Sequence, residues 1–200
     1  MTDEELGELL ALRHEISGVE FKGPGPRSNT RLFVQTVRAV LGMANRRDGG
    51  TVVIGVEDNQ TSLTPVGLTD EDLATWSSDA VADGIAVYAD PSVSFELQTP
   101  AHAGRNYVTI EVREFEDIPV LCKRDFPDVL RNGACYVRTR RKPETSEIPA
   151  QAEMRDLLDL ATDKGVQRFL ARAESTGMIS FIAAAPDDRE RFDEQLGDLR

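Results

Sequence analysis

A continuous run of mostly β-branched residues at 51–56, Thr-Val-Val-Ile-Gly-Val, constrains the fold of this chain more than any other segment. Such a run, with no alternating polar positions, is typical of a strand covered on both faces. Before it, residues 33–44 carry the apolar stripe of a helix, with Ser28 or Asn29 as its N-cap. Before that helix, residues 19–22 alternate as a short strand. This order of strand, helix and strand predicts a βαβ-like unit or a split version of it.

The rest of the chain alternates between helical and strand-like patterns. Amphipathic spacing predicts helices over residues 3–14 and 68–82 and from residue 150 onward. Strand-like runs are predicted at 93–97, 107–112, 118–122 and 134–139. Together these patterns predict an α+β fold, with a mixed β-sheet and helices packed mainly on one side. We expect one domain over residues 1–160 and a partly exposed helical extension over 161–200.

The composition excludes several classes of protein. Hydrophobic residues make up 40% of the 200 residues and charged residues 29%, which is typical of a globular domain. No apolar run approaches the roughly 18 residues that a membrane span needs, and the acidic N-terminal residues are unlike a signal peptide. Two cysteines and two histidines argue against a disulfide scaffold or a zinc ribbon. We therefore expect a cytoplasmic protein with no membrane partner.

The charge is distributed unevenly along the chain. The net charge is -12, which argues against a general nucleic-acid binder. However, residues 21–47 carry six basic residues and no acidic one, and residues 121–142 carry seven basic residues and two acidic ones. These two basic blocks predict a local phosphate-facing surface. The alternative is that their arginines pair with the surplus acidic residues.

Three carboxylates are candidates for a site at one end of the predicted sheet. Glu20 lies in the first strand and shares a strand face with Lys22, Glu15 lies five residues before Glu20, and Asp58 follows the 51–56 strand. Carboxylates that meet at one sheet end repel one another unless a cation neutralises them, and Mg²⁺ or Mn²⁺ prefers such oxygen ligands. The alternative is that both glutamates are surface residues and that Asp58 begins a turn.

A basic run follows the last predicted strand and consists of Arg138, Arg140, Arg141 and Lys142. Side chains of this type suit contacts with a nucleic-acid backbone better than base readout. Together with Lys22, they are our candidates for nucleic-acid binding. The alternative is a solvated strand end that pairs with Glu144 and Glu147.

Several motifs in this order resemble the Schlafen-type AlbA domain family. The resemblance covers roughly residues 5–160 and has four parts. They are Glu15-Ile-Ser-Gly-Val-Glu20-Phe21-Lys22, the segment from Ala39 to Asn45 followed by Gly49-Gly50-Thr-Val-Val-Ile-Gly55-Val56-Glu57-Asp58, the turn Pro65-Val66-Gly67-Leu68, and the closing strand Tyr136-Val137-Arg138-Thr139.

The resemblance implies a fold like one lobe of the Schlafen core and two different activities. In the Schlafen branch, an acidic trio forms a metal-dependent endoribonuclease site that acts on structured RNA such as tRNA. Glu15, Glu20 and Asp58 match that trio and would be both catalytic residues and ligands of Mg²⁺ or Mn²⁺. In the wider bacterial family, such domains are described as DNA-binding or ATP-binding parts of regulators. The expectation is therefore a nuclease that prefers RNA over DNA, with a non-catalytic nucleic-acid-binding or ATP-binding module as the alternative.

The resemblance also implies a homodimer. Schlafen cores are similar to two tandem copies of this domain around a basic groove, whereas this sequence holds one copy. Twofold pairing would double the number of phosphates that the basic blocks can contact. We expect the self-complementary surface to be the apolar stripe from Met154 to Leu170 or an edge strand near Val108–Val112.

Overall fold

The computed structural model describes residues 2–11, 16–59, 62–139 and 142–177. The chain divides into two units, residues 1–161 and 162–200. The helices are α1 (Asp3–Leu10), α2 (Thr30–Ala44), α3 (Asp70–Leu73), α4 (Ser78–Ala86) and α5 (Gln151–Ser175). The strands are β1 (Val19–Lys22), β2 (Gly50–Ile54), β3 (Val56–Asp58), β4 (Leu63–Pro65), β5 (Ala89–Asp90), β6 (Phe95–Gln98), β7 (Ala101–His102), β8 (Arg105–Asn106), β9 (Val108–Val112), β10 (Leu121–Cys122), β11 (Tyr136–Arg138) and β12 (Thr145–Glu147).

The predicted strand–helix–strand unit is present as β1, α2 and β2. β1 pairs in parallel with β2, and α2 makes the crossover between them. The Asn29 side chain accepts a hydrogen bond from the backbone N–H of Leu32, so Asn29 is the N-cap of α2. β9 then pairs antiparallel with both β2 and β6, which gives a four-stranded mixed sheet in the order β1-β2-β9-β6. The predicted α+β fold with a mixed sheet is confirmed.

The sheet separates two groups of buried apolar side chains. The larger group joins α2 to Val52 of β2 and Ile110 of β9, and it includes residues of α4 and the first turns of α5. The smaller group joins Leu6 of α1 to Phe21 of β1 and Val53 of β2. Since neighbouring residues of a strand face opposite sides, this division places Glu20, the cross-strand partner of Val52, on the α2 side.

Two expectations about the elements are wrong. The helix predicted over 68–82 is interrupted after α3, because the Ser77 side chain accepts from the N–H of Ala80 and starts α4 as a separate helix. The strand Val108–Val112 is not at an edge of the sheet, because it lies between β2 and β6. Its backbone groups are therefore already paired on both sides and cannot extend a sheet across a dimer.

Gly55 separates the predicted 51–56 run into β2 and β3. Its φ is +112°, and an ideal Cβ there would lie 3.0 Å from both Leu68 and Tyr107 side-chain atoms. Only glycine fits such a position without strain. The Gly55 N–H donates to the carbonyl of Lys22 at 2.9 Å, so the turn that begins β3 is tied to the end of β1.

The long helix α5 belongs to both units. Within residues 151–161, Leu157 and Leu160 are buried in the larger core, whereas Met154 and Leu158 are exposed. Within residues 162–177, Val166, Phe169 and Leu170 are exposed. In the part of the chain that the structure describes, every helix is too short or too polar to span a bilayer.

Candidate functional site

An open groove with a volume of about 1170 Å³ brings together segments that are far apart in the sequence. Its walls come from the end of β1 and the loop after it, the middle of α2, the end of β3, and the segment that leads into β12. The lining residues are Glu20, Phe21, Lys22, Gly23, Pro24, Gln35, Arg38, Glu57, Asp58, Asn59, Lys142, Pro143, Glu144 and Thr145. Four of the residues singled out from the sequence, Glu20, Lys22, Asp58 and Lys142, therefore share one groove.

Glu20 is the most constrained of these groove residues, with only 9% of its side chain exposed. Its Oε2 atom accepts from Arg138 Nη1 at 2.6 Å and from Thr145 Oγ1 at 2.7 Å. Its Oε1 atom accepts from the Lys22 ammonium group. Arg138 and Thr145 are directly opposite each other in the β11–β12 pair, which brings both donors to the same carboxylate. Glu20 thus joins β1 to the β11–β12 hairpin.

Arg138 is buried and does not face the solvent. Its side chain is 0% exposed. Besides Glu20, the guanidinium donates to three backbone carbonyls, those of Val19 at 3.0 Å, Ile16 at 3.2 Å and Ser17 at 3.3 Å. A nucleic-acid phosphate has no access to this guanidinium in the described structure. Its geometry is that of a structural arginine that supports the start of β1.

The rest of the basic block over 121–142 is divided between different environments. Lys142 is exposed and lines the groove. Arg131 makes a bidentate pair with Glu147, with Nε to Oε1 at 3.0 Å and Nη2 to Oε2 at 2.5 Å, and this pair holds the pKa of the Glu147 carboxyl below its ordinary value. This block therefore does pair with an acidic residue, and the arginine that makes the observed pair with Glu147 is Arg131. Arg140 and Arg141 lie outside the described residues.

Asp58 lies at the end of β3, where its exposed side chain lines the groove beside Glu57 and Asn59. The Gly55 turn, which the sequence did not predict, ties the start of β3 to the end of β1. Glu15, the third carboxylate of the predicted trio, lies outside the described residues. The structure thus brings Glu20 and Asp58 to one groove and gives no position for Glu15.

The described residues do not fit a metal site. Among residues 2–11, 16–59, 62–139 and 142–177, no three His, Cys, Asp or Glu side chains come together in a way that could hold an ion. Both Glu20 oxygens are already hydrogen-bonded, and two cationic side chains neutralise the carboxylate. A divalent cation would have to displace at least one of those side chains. The Mg²⁺ or Mn²⁺ expectation therefore depends on Glu15 and stays a prediction.

Two groove residues were missed by the sequence analysis. Thr145 gave no signal, because a lone threonine has no pattern that marks it as a carboxylate partner. Arg38 was counted only as part of a basic block, yet its Nη2 donates to the Thr145 carbonyl and its guanidinium lies 5.7 Å from the centre of the Tyr136 ring. The sequence offered one signal for this role, which is the position of Arg38 on the polar face of α2, one residue after the buried Val37.

Asn45 serves the fold. The Asn45 amide donates to the carbonyls of Val120 at 2.8 Å and Tyr136 at 2.9 Å, and its oxygen accepts from the N–H of Val120 at 2.7 Å. This buried side chain therefore joins the end of α2 to two other segments.

The family model described as Schlafen, AlbA_2 matches residues 15–146 of the chain. The chain belongs to the Schlafen AlbA_2 family. All of the residues that line the groove fall within this match, so the groove lies in the part of the chain that the family model covers. None of the curated proteins compared with the chain matches it.

A solved structure shows a similar fold at low sequence identity. The DIP2311 protein from Corynebacterium diphtheriae matches 73% of this chain with 17% identity and a TM-score of 0.51. This chain spans 26% of the length of that protein. The N-terminal domain of a RecG-related protein from Nitrosomonas europaea matches 66% of this chain and 88% of its own length, with 21% identity and a TM-score of 0.47.

Proposed function

We propose that this Schlafen AlbA_2 domain binds the sugar-phosphate backbone of a nucleic acid in the groove between β1, α2, β3 and β12. The observation that carries the proposal is the convergence of three cationic side chains, Lys22, Arg38 and Lys142, from separate segments on one open groove. Its volume of about 1170 Å³ exceeds the roughly 300–1,000 Å³ of small-molecule pockets. An open groove of this size suits a chain-like ligand better than an isolated nucleotide.

The mixed charges of the groove predict a modest affinity for a nucleic acid. The three cationic residues face four acidic ones, Glu20, Glu57, Asp58 and Glu144, among the described lining residues. Few phosphates can therefore be neutralised at once. Two or three contacts predict a slope of log K against log salt between about -1.4 and -2.1 for a single strand.

The test is fluorescence anisotropy with a labelled single-stranded RNA and the same sequence as DNA, at several salt concentrations and with EDTA. Lys142→Ala and Lys22→Ala should each weaken binding several-fold and make the salt slope shallower by about 0.7. Lys123→Ala is the matched control, because Lys123 is an exposed lysine of the same basic block that does not line the groove. Equal losses in all three variants would contradict the proposal. Tighter binding of the RNA would support the RNA preference that the resemblance implies.

Metal-dependent cleavage of structured RNA is the second candidate function. The observation in its favour is that Glu20 and Asp58 line the same groove. The assay is incubation of tRNA with the protein, with and without Mn²⁺, for wild type, Asp58→Asn and Glu15→Gln. Cleavage that needs Mn²⁺ and that is lost in both Asp58→Asn and Glu15→Gln would support a nuclease. Binding without cleavage would leave the non-catalytic function.

A homodimer stays a prediction, and the Val108–Val112 strand no longer offers a surface for it. The exposed apolar residues of α5 still offer one, since Met154 and Leu158 are 42% and 55% exposed. Light scattering at micromolar protein tests the prediction, because a mass near 22 kDa with and without RNA would rule out a stable dimer.

A further inference from the structure

The hydrogen-bonding capacity of the Glu20 carboxylate is largely used within the protein. Three donors, from Arg138, Thr145 and Lys22, approach its two oxygens, and two of them carry a positive charge. The Glu20 side chain is 9% exposed, and both Glu20 and Lys22 line the groove. A ligand that enters the groove therefore meets the Lys22 ammonium group together with Glu20.

Arg138 cannot readily leave this carboxylate. Its side chain is fully buried, and the same guanidinium holds the carbonyls of Ile16, Ser17 and Val19. Moving it would take the donor from all three carbonyls and break the buried bond to Val19, which is costly in a protein interior. The backbone of Thr145 is also held, because it lies opposite Arg138 in the β11–β12 pair and its carbonyl accepts from Arg38. Lys22, whose side chain is 19% exposed, is therefore the more readily exchanged of the two cations.

We infer that Glu20 is the internal counter-ion of Arg138 and Lys22 in this chain and not a ligand of a divalent metal. A cation that approached Oε1 would have to displace Lys22 and would remain close to the buried charge of Arg138. An incoming phosphate behaves in the opposite way, because it competes with Glu20 for the donors of Lys22. This second consequence rests on the proposed function, whereas the first does not.

The counter-ion role of Glu20 predicts two effects of its neutralisation. As a counter-ion, Glu20 opposes nucleic-acid binding, so Glu20→Gln should tighten binding of a single-stranded RNA in EDTA by about five-fold, as expected for one charge at about 4 Å in water. Glu20→Gln should also lower Tm, because Arg138 loses its charged partner. Glu57→Gln is the matched control, since Glu57 is an exposed carboxylate of the same groove. It should leave Tm unchanged.

The decisive experiment is thermal unfolding of the full chain during a titration with MnCl₂, for wild type, Glu20→Gln and Glu57→Gln. We expect Mn²⁺ to shift Tm by the same amount in all three proteins. A rise of Tm with Mn²⁺ in wild type and Glu57→Gln that disappears in Glu20→Gln would overturn the inference. If wild type binds no RNA, the proposed function fails, and the Mn²⁺ titration still decides the role of Glu20.

Lys22→Met provides the same test should Glu20→Gln fail to fold, because it leaves the buried Glu20–Arg138 pair intact. Removing Lys22 uncovers Oε1 and takes away the more readily exchanged competitor of a metal. A counter-ion role predicts no rise of Tm with Mn²⁺ in wild type, and a rise confined to Lys22→Met would support it, because it would show that Lys22 excludes the metal. A rise in wild type that becomes larger in Lys22→Met would overturn the inference.

Discussion

Removal of the Arg138 guanidinium is expected to destabilise the domain strongly. Arg138→Met keeps most of the side-chain volume but removes the buried one of the two cations that pair with Glu20, at 2.6 Å from Oε2, and leaves three backbone carbonyls without the guanidinium donor. Breaking a buried ion pair from one side costs about 3–5 kcal/mol. Each kcal/mol lowers Tm by about 2–4 °C in a chain of this size, so the expected loss is about 6–20 °C.

The matched control for this substitution is Arg131→Met. Arg131 also forms an arginine–glutamate pair, but its side chain is 63% exposed and that of Glu147 is 41% exposed. Exposed pairs contribute about 0–1 kcal/mol, so Arg131→Met should leave the free energy of unfolding almost unchanged. The comparison therefore isolates the effect of burial on the same type of ion pair.

The assay is urea unfolding followed by the fluorescence of Trp76, the single tryptophan of the chain, which is buried. A double-mutant cycle with Glu20→Gln and Arg138→Met should give a coupling energy of about 2 kcal/mol or more, because each single variant already breaks the pair. If Arg138→Met costs less than about 1 kcal/mol, like an exposed pair, or if the two substitutions are additive, the reasoning is refuted.

Two further predictions test the packing around this site. Gly42→Ala should lower Tm, because an ideal Cβ at Gly42 would lie 2.6 Å from Thr145 Cγ2, although alanine is favoured over glycine in a helix by about 1 kcal/mol. Gly165→Ala is the control and should not lower Tm, because no atom lies within 4 Å of the added Cβ. Equal effects of the two substitutions would contradict this account. Burial raises the pKa of the Cys135 thiol to about 11, so in Cys122→Ala a thiol reagent at pH 8 should label Cys135 about 100-fold more slowly in the native protein than after denaturation, and equal rates would contradict this.

Local patterns in the sequence were sufficient to predict the centre of the fold. The alternation of Val19 to Lys22, the apolar stripe and Asn29 cap of α2, and the β-branched run of β2 each depend on neighbours close in the chain. The sheet register then follows from which strand residues are apolar. For the same reason, the shared face of Glu20 and Lys22 was predicted correctly.

The errors arose where contacts distant in sequence decide the outcome. A continuous helix over 68–82 is compatible with its apolar spacing, but the Ser77 cap and the separate packing of Val81 and Ile85 in the core favour two helices. The order of strands in the sheet also has no local signal, which is why Val108–Val112 was expected at an edge. Its pairing with β2, which is distant in the sequence, is what places it inside the sheet.

Contacts between residues distant in the sequence also limited the prediction of the Glu20 site. The sequence identified Glu20, Lys22, Asp58 and Lys142, and the fold brings all four to one groove. It could not reveal that Arg138, 118 residues away from Glu20, is the buried partner of that carboxylate. An arginine in a basic run has the same local pattern whether it pairs internally or faces a phosphate.

Hydrogen–deuterium exchange with a saturating single-stranded RNA tests most directly whether the groove is the nucleic-acid interface. The account predicts slower exchange in peptides that cover residues 20–24, 57–59 and 142–145, which line the groove, and no change in residues 113–117, which line a different cavity. Protection confined to segments outside the groove, with the RNA fully bound, would contradict the proposed function.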